Sequence, residues 1–216
     1  MALDTRRVLT GQAEKIVSLV EPADTASPTA TAPADAQSAR EAIRRPEWPK
    51  SAVRVAFGIM WAIDASLKWR ASFRAGYLGM LTDARKGQAS WLHPWFNFWI
   101  DLQRPRISFF AYLVASVETL IAVALILGFA RKVTYISGAV FSLLIWSTAE
   151  GFGGPYTAQS TDIGTAIIYA LVFVALLVMA AQFGPSRYSV DALIERRVPW
   201  WHRIAEVEWW SRRAPT

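Results

Sequence analysis

Residues 107–130, ISFFAYLVASVETLIAVALILGFA, decide the fold. About 20 predominantly apolar residues suffice to cross a hydrocarbon core of about 30 Å as a helix. This run is long enough, and its single charge, Glu118, sits at its midpoint. Arg131 and Lys132 end it. A third apolar run, 133–149, follows after almost no loop, so the two runs are expected to form a tight helical hairpin. Residues 151–162, GFGGPYTAQSTD, are a Gly/Pro-rich turn that cannot be helical throughout. Ser160, Thr161 or Asp162 is placed to cap the next helix. That helix, 163–183, is the fourth apolar run and stops at Gly184-Pro185.

Upstream, residues 52–68, AVRVAFGIMWAIDASLK, read as a short first span. Arg54 can reach outward along its aliphatic stem. Asp64 and Lys68 stand four residues apart, a helical pair. The connector 69–106 contains ASWLHPWFNFWIDLQRPR, in which Trp91, Trp95, Phe96, Phe98 and Trp99 crowd together and Pro94 is expected to break any regular helix. It is too short and too polar to span and reads as an interfacial segment.

The flanks differ from the middle. Residues 21–40, EPADTASPTATAPADAQSAR, hold no large apolar side chain and cannot offset the entropy of ordering. Residues 1–46 are therefore expected to be a disordered tail, with a short amphipathic helix at 6–20. Residues 187–216, with Trp200, Trp201, Trp209 and Trp210 among Arg and Glu, read as an amphipathic interfacial helix or a partner-docking segment. Nine of the eleven tryptophans, all but Trp61 and Trp146, lie in flanks, as an aromatic belt would place them. The opening, MALDTRRVLTGQAEKIVSLV, has no apolar stretch of signal-peptide length, so the first span is expected to serve as an uncleaved anchor.

The expected class is thus an all-α integral membrane four-helix bundle, residues 47–186, with a disordered N-terminal tail and an interfacial C-terminal helix. Composition agrees. Of 216 residues 53% are hydrophobic and 19% charged, with mean hydropathy +0.23. These values argue against an ordinary soluble enzyme, a disordered chain and a disulfide scaffold. The net charge of +6 sits beside the apolar runs, where anionic lipid attracts it, and no basic stripe suits nucleic acid. With no cysteine, thiol catalysis, iron–sulfur ligation and covalent haem attachment are excluded. The two histidines, His93 and His202, fall in different flanks, so no haem or metal is expected.

Four spans put both termini on one side of a cell membrane. Nine bases border that side: Arg44, Arg45, Lys50, Arg54, Arg131, Lys132, Arg187, Arg196 and Arg197. Seven border the other: Lys68, Arg70, Arg74, Arg85, Lys86, Arg104 and Arg106. The excess places both termini in the cytoplasm.

The same topology gathers polar groups at the outer mouth of the bundle. Asp64, Glu150 and Asp162 are expected there with Lys68, Arg70, Arg104 and Arg106, and Glu118 lies deeper. A mid-bilayer acid costs about 2.5–3.5 kcal/mol or more, so Glu118 should face the interior. Ala111, Ala115 and Ala122 share its face and permit close helix approach. Glu118 reads either as a proton-accepting or quinone-bonding carboxyl, or as a structural hydrogen bond to a neighbouring helix. Asp64 is half of a pair with Lys68 or a site residue, and Asp162 is a cap or a polar group of the mouth. Trp146, Tyr156 and His93 are candidates to stack on or bond a quinone ring; membrane-edge packing explains them equally. Tyr169 is a further donor candidate.

Three stretches resemble a known family. VRVAFGIMWAIDASLKW, 53–69, looks like the opening helix of the DoxX-like membrane proteins, and VETLIAVALILGFARKV, 117–133, resembles their second. AEGFGGPYTAQSTDIGTAIIYALVFVALL, 149–177, is similar to the DoxD branch, the membrane subunit of thiosulfate:quinone oxidoreductase. The resemblance covers about residues 50–185. It implies a four-helix membrane bundle that passes electrons from thiosulfate to a membrane quinone, with tetrathionate as product and a second subunit as partner. On that reading Glu118 exchanges a proton, Asp64, Glu150 and Asp162 organise the mouth, and Lys68, Arg70, Arg104 and Arg106 attract the anionic substrate. The alternatives are a non-enzymatic membrane partner that recruits a soluble enzyme, and, less well supported, a small transporter.

Overall fold

The long helices follow from runs that are apolar on more than one face. In a computed structural model, residues 48–156, 162–183 and 188–206 are described, and among them all regular structure is helical. The expected tail 1–46, and Ser160, Thr161, Arg187, Trp209 and Trp210, lie outside the described residues. Helix α1 is Trp48–Lys68, α2 is Ala71–Arg85 and α3 is His93–Gln103. Then come α4, Ile107–Leu127; α5, Arg131–Thr148; and α6, Thr165–Phe183. Two short helices close the described chain, α7, Val190–Glu195, and α8, His202–Ala205. The four apolar runs read from the sequence are therefore α1, α4, α5 and α6.

Ser90–Leu127, which ends in α4, and Thr165–Gln182, within α6, are long and apolar enough to cross a membrane. Helices α1 and α5 are of similar length, 21 and 18 residues. They carry more charge, at Lys50, Arg54, Asp64 and Lys68 in α1 and at Arg131 and Lys132 in α5.

Helix α1 packs chiefly along α4, and α5 along α6. The inward stripe of α1 is Arg54, Phe57, Trp61 and Ala65; that of α4 is Ala111, Ala115, Glu118, Ala122 and Leu125. Both stripes follow the helical repeat. Phe57, Trp61 and Phe173 interlock edge to face, with centroids 4.9 to 6.3 Å apart, and fix the centre of the bundle. Phe173 reaches inward because Gly138 of α5 has no side chain: a Cβ there would run into its ring. The opposite faces also stay apolar. Ile63, Leu120, Val140 and Leu171 are all 60% or more exposed, where a water-facing surface would be polar.

The connector holds more structure than expected. Pro94 starts α3 rather than breaking a helix, because its missing N–H costs nothing in a first turn. Phe73, Tyr77 and Leu81 of α2 recur every four residues. Tyr77 and Leu81 join Phe96 and Ile100 of α3 and Ala111 of α4 in a second core, and Phe73 packs at its edge.

Two helix starts are capped by acids distant in sequence. Gly128 ends α4 in the left-handed region at φ 67°, and Ala130 follows at φ 46°, where a side chain is strained. The Asp191 carboxylate holds that turn. It accepts the Ala130 N–H at 2.7 Å, the Arg131 N–H at 3.0 Å, the Arg131 Nε at 3.0 Å and the Trp201 Nε1 at 2.9 Å. The Arg54 guanidinium closes the same corner by donating to the carbonyls of Leu125, Ile126 and Tyr188. The C-terminal segment is thus not one interfacial helix. Helices α7 and α8 fold back on the α4–α5 turn, because Asp191 must meet a buried Arg131.

Loss of Asp191 would leave the Ala130 and Arg131 N–H groups and the Trp201 ring N–H without their acceptor. Arg131 would keep only Glu206 and Glu195 among the described residues, at 3.7 and 3.9 Å. Removing one partner of a buried pair costs about 3–5 kcal/mol. Asp191→Ala is expected to destabilise the protein by about that much, read as a lower unfolding midpoint in detergent. An unchanged midpoint would show that this contact does not hold the turn.

Candidate functional site

Glu118 is completely buried, as its alanine-lined face predicts. Its partner is Lys68, at the last turn of α1. The Lys68 Nζ donates to Glu118 Oε1 at 3.1 Å and to Asp64 Oδ2 at 3.2 Å. The three groups grade outward: the side chains of Glu118, Lys68 and Asp64 are 1%, 20% and 38% exposed. Glu118 Oε2 is buried without a hydrogen-bond partner among the described residues. Beside the pair, Trp69 Nε1 donates to Thr119 Oγ1 at 3.0 Å, tying the end of α1 to α4.

The pair stands in the wall of a cavity of about 510 Å³. That size lies in the usual range for small-molecule sites, about 300–1,000 Å³. Its lining is largely apolar, with Phe73 and Leu81 from α2, Val114 from α4 and Phe141 and Leu144 from α5. The polar groups that reach it are few: Lys68, Glu118, Tyr77, Gln103, Thr148 and Glu150, with Trp99. The Tyr77 hydroxyl donates to Gln103 Oε1 at 2.6 Å, leaving the Gln103 amide N–H groups outside this bond. Burial, and secondarily the charge of Glu118, push the Tyr77 hydroxyl up to about 12, so it stays a donor through the neutral range. Trp99 Nε1 is a buried donor without a partner among the described residues. Among the described residues, then, one acceptor and one donor without partners stand beside the cavity, both covered by neighbouring side chains in this structure.

Of the site residues expected from the sequence, Lys68 and Glu150 of the mouth and the deeper Glu118 line this cavity. Asp64 stands behind Lys68. Glu150 also receives the Ala166 N–H at 3.0 and 3.2 Å on its two oxygens, so it is the acid at the start of α6. A carboxylate there meets free N–H groups and the positive end of the helix. Asp162, the expected cap, instead takes the Gly164 N–H at 2.8 Å inside the preceding turn. The aromatic candidates brace that turn. Trp146 Nε1 donates to the Ile163 carbonyl at 2.8 Å, and the exposed Tyr156 hydroxyl donates to the Phe152 carbonyl at 2.6 Å. His93 opens α3 with Nε2 3.1 Å from the Gln88 carbonyl, and Tyr169 packs among the core rings. Arg70, Arg104 and Arg106 are exposed and lie outside the lining.

Tyr77, Trp99, Gln103 and Thr148 are not among the residues singled out by sequence. The repeat Phe73, Tyr77, Leu81 carried a signal for the first, since it marks α2 as a packed helix. Among the described residues no group of three or more His, Asp or Glu side chains is placed to hold a metal ion. Comparison with known proteins gives no match to a family model, to a curated protein or to a solved structure.

Burial raises the Glu150 carboxyl above its ordinary value, against the smaller opposing effect of the Ala166 and Thr165 N–H groups. A folded value above the unfolded one gives stability that is present below the ordinary carboxylate range and lost as pH rises through the folded value. Glu150→Gln should remove that slope. Unfolding midpoints measured from pH 4 upward are expected to show the variant gaining on the wild type as pH rises; parallel curves would contradict it.

Proposed function

We infer that the protein is a multi-pass membrane protein that binds a membrane quinone and serves as the membrane subunit of a quinone-linked oxidoreductase. In this reading α1, α4, α5 and α6 form a four-helix bundle in the bilayer, with both termini cytoplasmic. The outward apolar residues of all four helices support it, as do the two helices of spanning length and apolarity.

The observation that carries the quinone reading is the apolar cavity with Glu118 and Lys68 in its wall. A quinone is a flat apolar ring bearing two carbonyl acceptors, and its quinol form carries two hydroxyl donors. Lys68, Trp99 and the Gln103 amide supply donors for the first state. The free Glu118 oxygen supplies an acceptor for the second. Reduction consumes two electrons and two protons per quinone, and a protonatable group in the wall suits such chemistry.

The electron donor rests on the resemblance to the DoxD branch: two thiosulfate ions join as tetrathionate and release the two electrons. The cavity itself lends no support to an anionic substrate there. Lys68 is the one base in its described lining, and two carboxylates already hold it. Thiosulfate oxidation is accordingly placed outside the cavity, at the mouth near the exposed Arg70, Arg104 and Arg106 or on a second subunit. A non-enzymatic assembly role is the other reading, with the tryptophan-bearing C-terminal segment as a docking element.

Protein purified from membranes is expected to carry quinone in its lipid extract and to reduce added ubiquinone when given thiosulfate. Glu118→Gln should lower that rate by about 10²-fold, the smaller end of what a placed proton-transfer group contributes. A stoichiometric protein partner with no quinone and no reduction would favour the assembly role instead.

A further inference from the structure

Asp64, Lys68 and Glu118 form a continuous chain from the edge of the bundle to the cavity. Each link is a hydrogen bond, 3.2 Å from Asp64 to Lys68 and 3.1 Å from Lys68 to Glu118. Exposure falls along it from 38% to 20% to 1%. The quinone reading needs two protons for each quinol, and Glu118, fully buried, has no contact with solvent of its own. A structural pair would need only Lys68 and Glu118. The third member is half exposed and sits one helical turn before Lys68 on the same face, where it gives the pair an outlet.

We propose that Asp64, Lys68 and Glu118 are the proton path that feeds the cavity, with Asp64 as its entry. This rests on the quinone reading above and adds the route by which its protons arrive. The step balances as follows. From the ion pair, Lys68 passes a proton from Nζ to the Glu118 carboxylate, and Glu118 gives that proton to the quinone oxygen as an electron arrives from the donor. The neutral amine is then reprotonated through Asp64 from water at the mouth. After two such cycles the quinone has gained two protons and two electrons, and the three side chains are restored.

Asp64 is a positioning and relay residue in this scheme, since it does not line the cavity. Tyr77 of α2, Glu150 just beyond α5 and Tyr169 of α6 are titratable groups that interact with Glu118 or Lys68. Tyr77 is engaged with Gln103, Glu150 with the start of α6, and Tyr169 lies among core rings.

The test uses purified protein in proteoliposomes with a short-chain ubiquinone as probe, so that it does not depend on the natural electron donor. Quinone binding is read by quenching of tryptophan fluorescence. Bound quinone is then reduced at an electrode, and quinol formation is followed by infrared absorption in H₂O and in D₂O. Asp64→Asn keeps an acceptor for Lys68 but cannot carry a proton. It is expected to leave the binding constant unchanged, to slow quinol formation at least about tenfold and to raise the solvent isotope effect. Asp64→Glu is expected to restore the rate. An Asp64→Asn protein with wild-type rate and isotope effect would overturn the path while leaving the quinone site standing. Failure of the wild type to bind ubiquinone would overturn the quinone reading, and the path with it.

Discussion

The Lys68–Glu118 pair is the constraint on which the centre of this protein depends. A carboxylate in the middle of an apolar helix is costly unless a partner meets it, and the partner must come from another helix. Here that partner is Lys68, in the last turn of α1. That 3.1 Å contact, with Trp69 on Thr119 beside it and Arg54 on the Leu125 and Ile126 carbonyls at the other end, sets the height of α1 against α4. The three alanines on the Glu118 face let the helices come close enough for the bond to form. Glu118 is sealed in packing, while Lys68 carries the pair to the cavity wall and to the bundle edge.

Two further acids work by the same logic at helix starts. Asp191 holds the strained turn between α4 and α5, and Glu150 holds the start of α6. Each brings together segments distant in sequence and satisfies N–H groups that would otherwise be left bare. Glu150 also lines the cavity, so the element that positions α6 is at once part of the site's wall. The cavity is therefore framed by the α1–α4 ion pair on one side and the α5–α6 junction on the other.

Much of this was legible in the chain. The runs 107–130, 133–149 and 163–183 stand as α4, α5 and α6 within a few residues, because length and apolarity alone mark them. Glu118 could be placed on an interior face from its alanine neighbours. The limits are equally physical. Topology places a residue at one end of a bundle but not at its angle around the axis, so Arg70, Arg104 and Arg106 reach the right end and face outward. Choosing between acids for a cap needs the path of the turn, which put Glu150 rather than Asp162 on the α6 amides. Pro94 and the repeat of Phe73, Tyr77 and Leu81 were both visible, yet the aromatic crowding hid that the connector is two packed helices. Asp191 gave no local signal, since Ala130 and Arg131, the groups it caps, lie about sixty residues away.

The central claim is that a quinone ring lies against Glu118 inside the bundle. Photoaffinity labelling of membranes with an azido-quinone, followed by peptide mapping, tests it most directly. The account predicts labelling on the cavity-facing segments around Tyr77–Leu81, Trp99–Gln103 and Val114–Glu118, suppressed by excess unlabelled quinone. Labelling confined to outward residues such as Leu120, Val140 and Leu171, and indifferent to competitor, would contradict it.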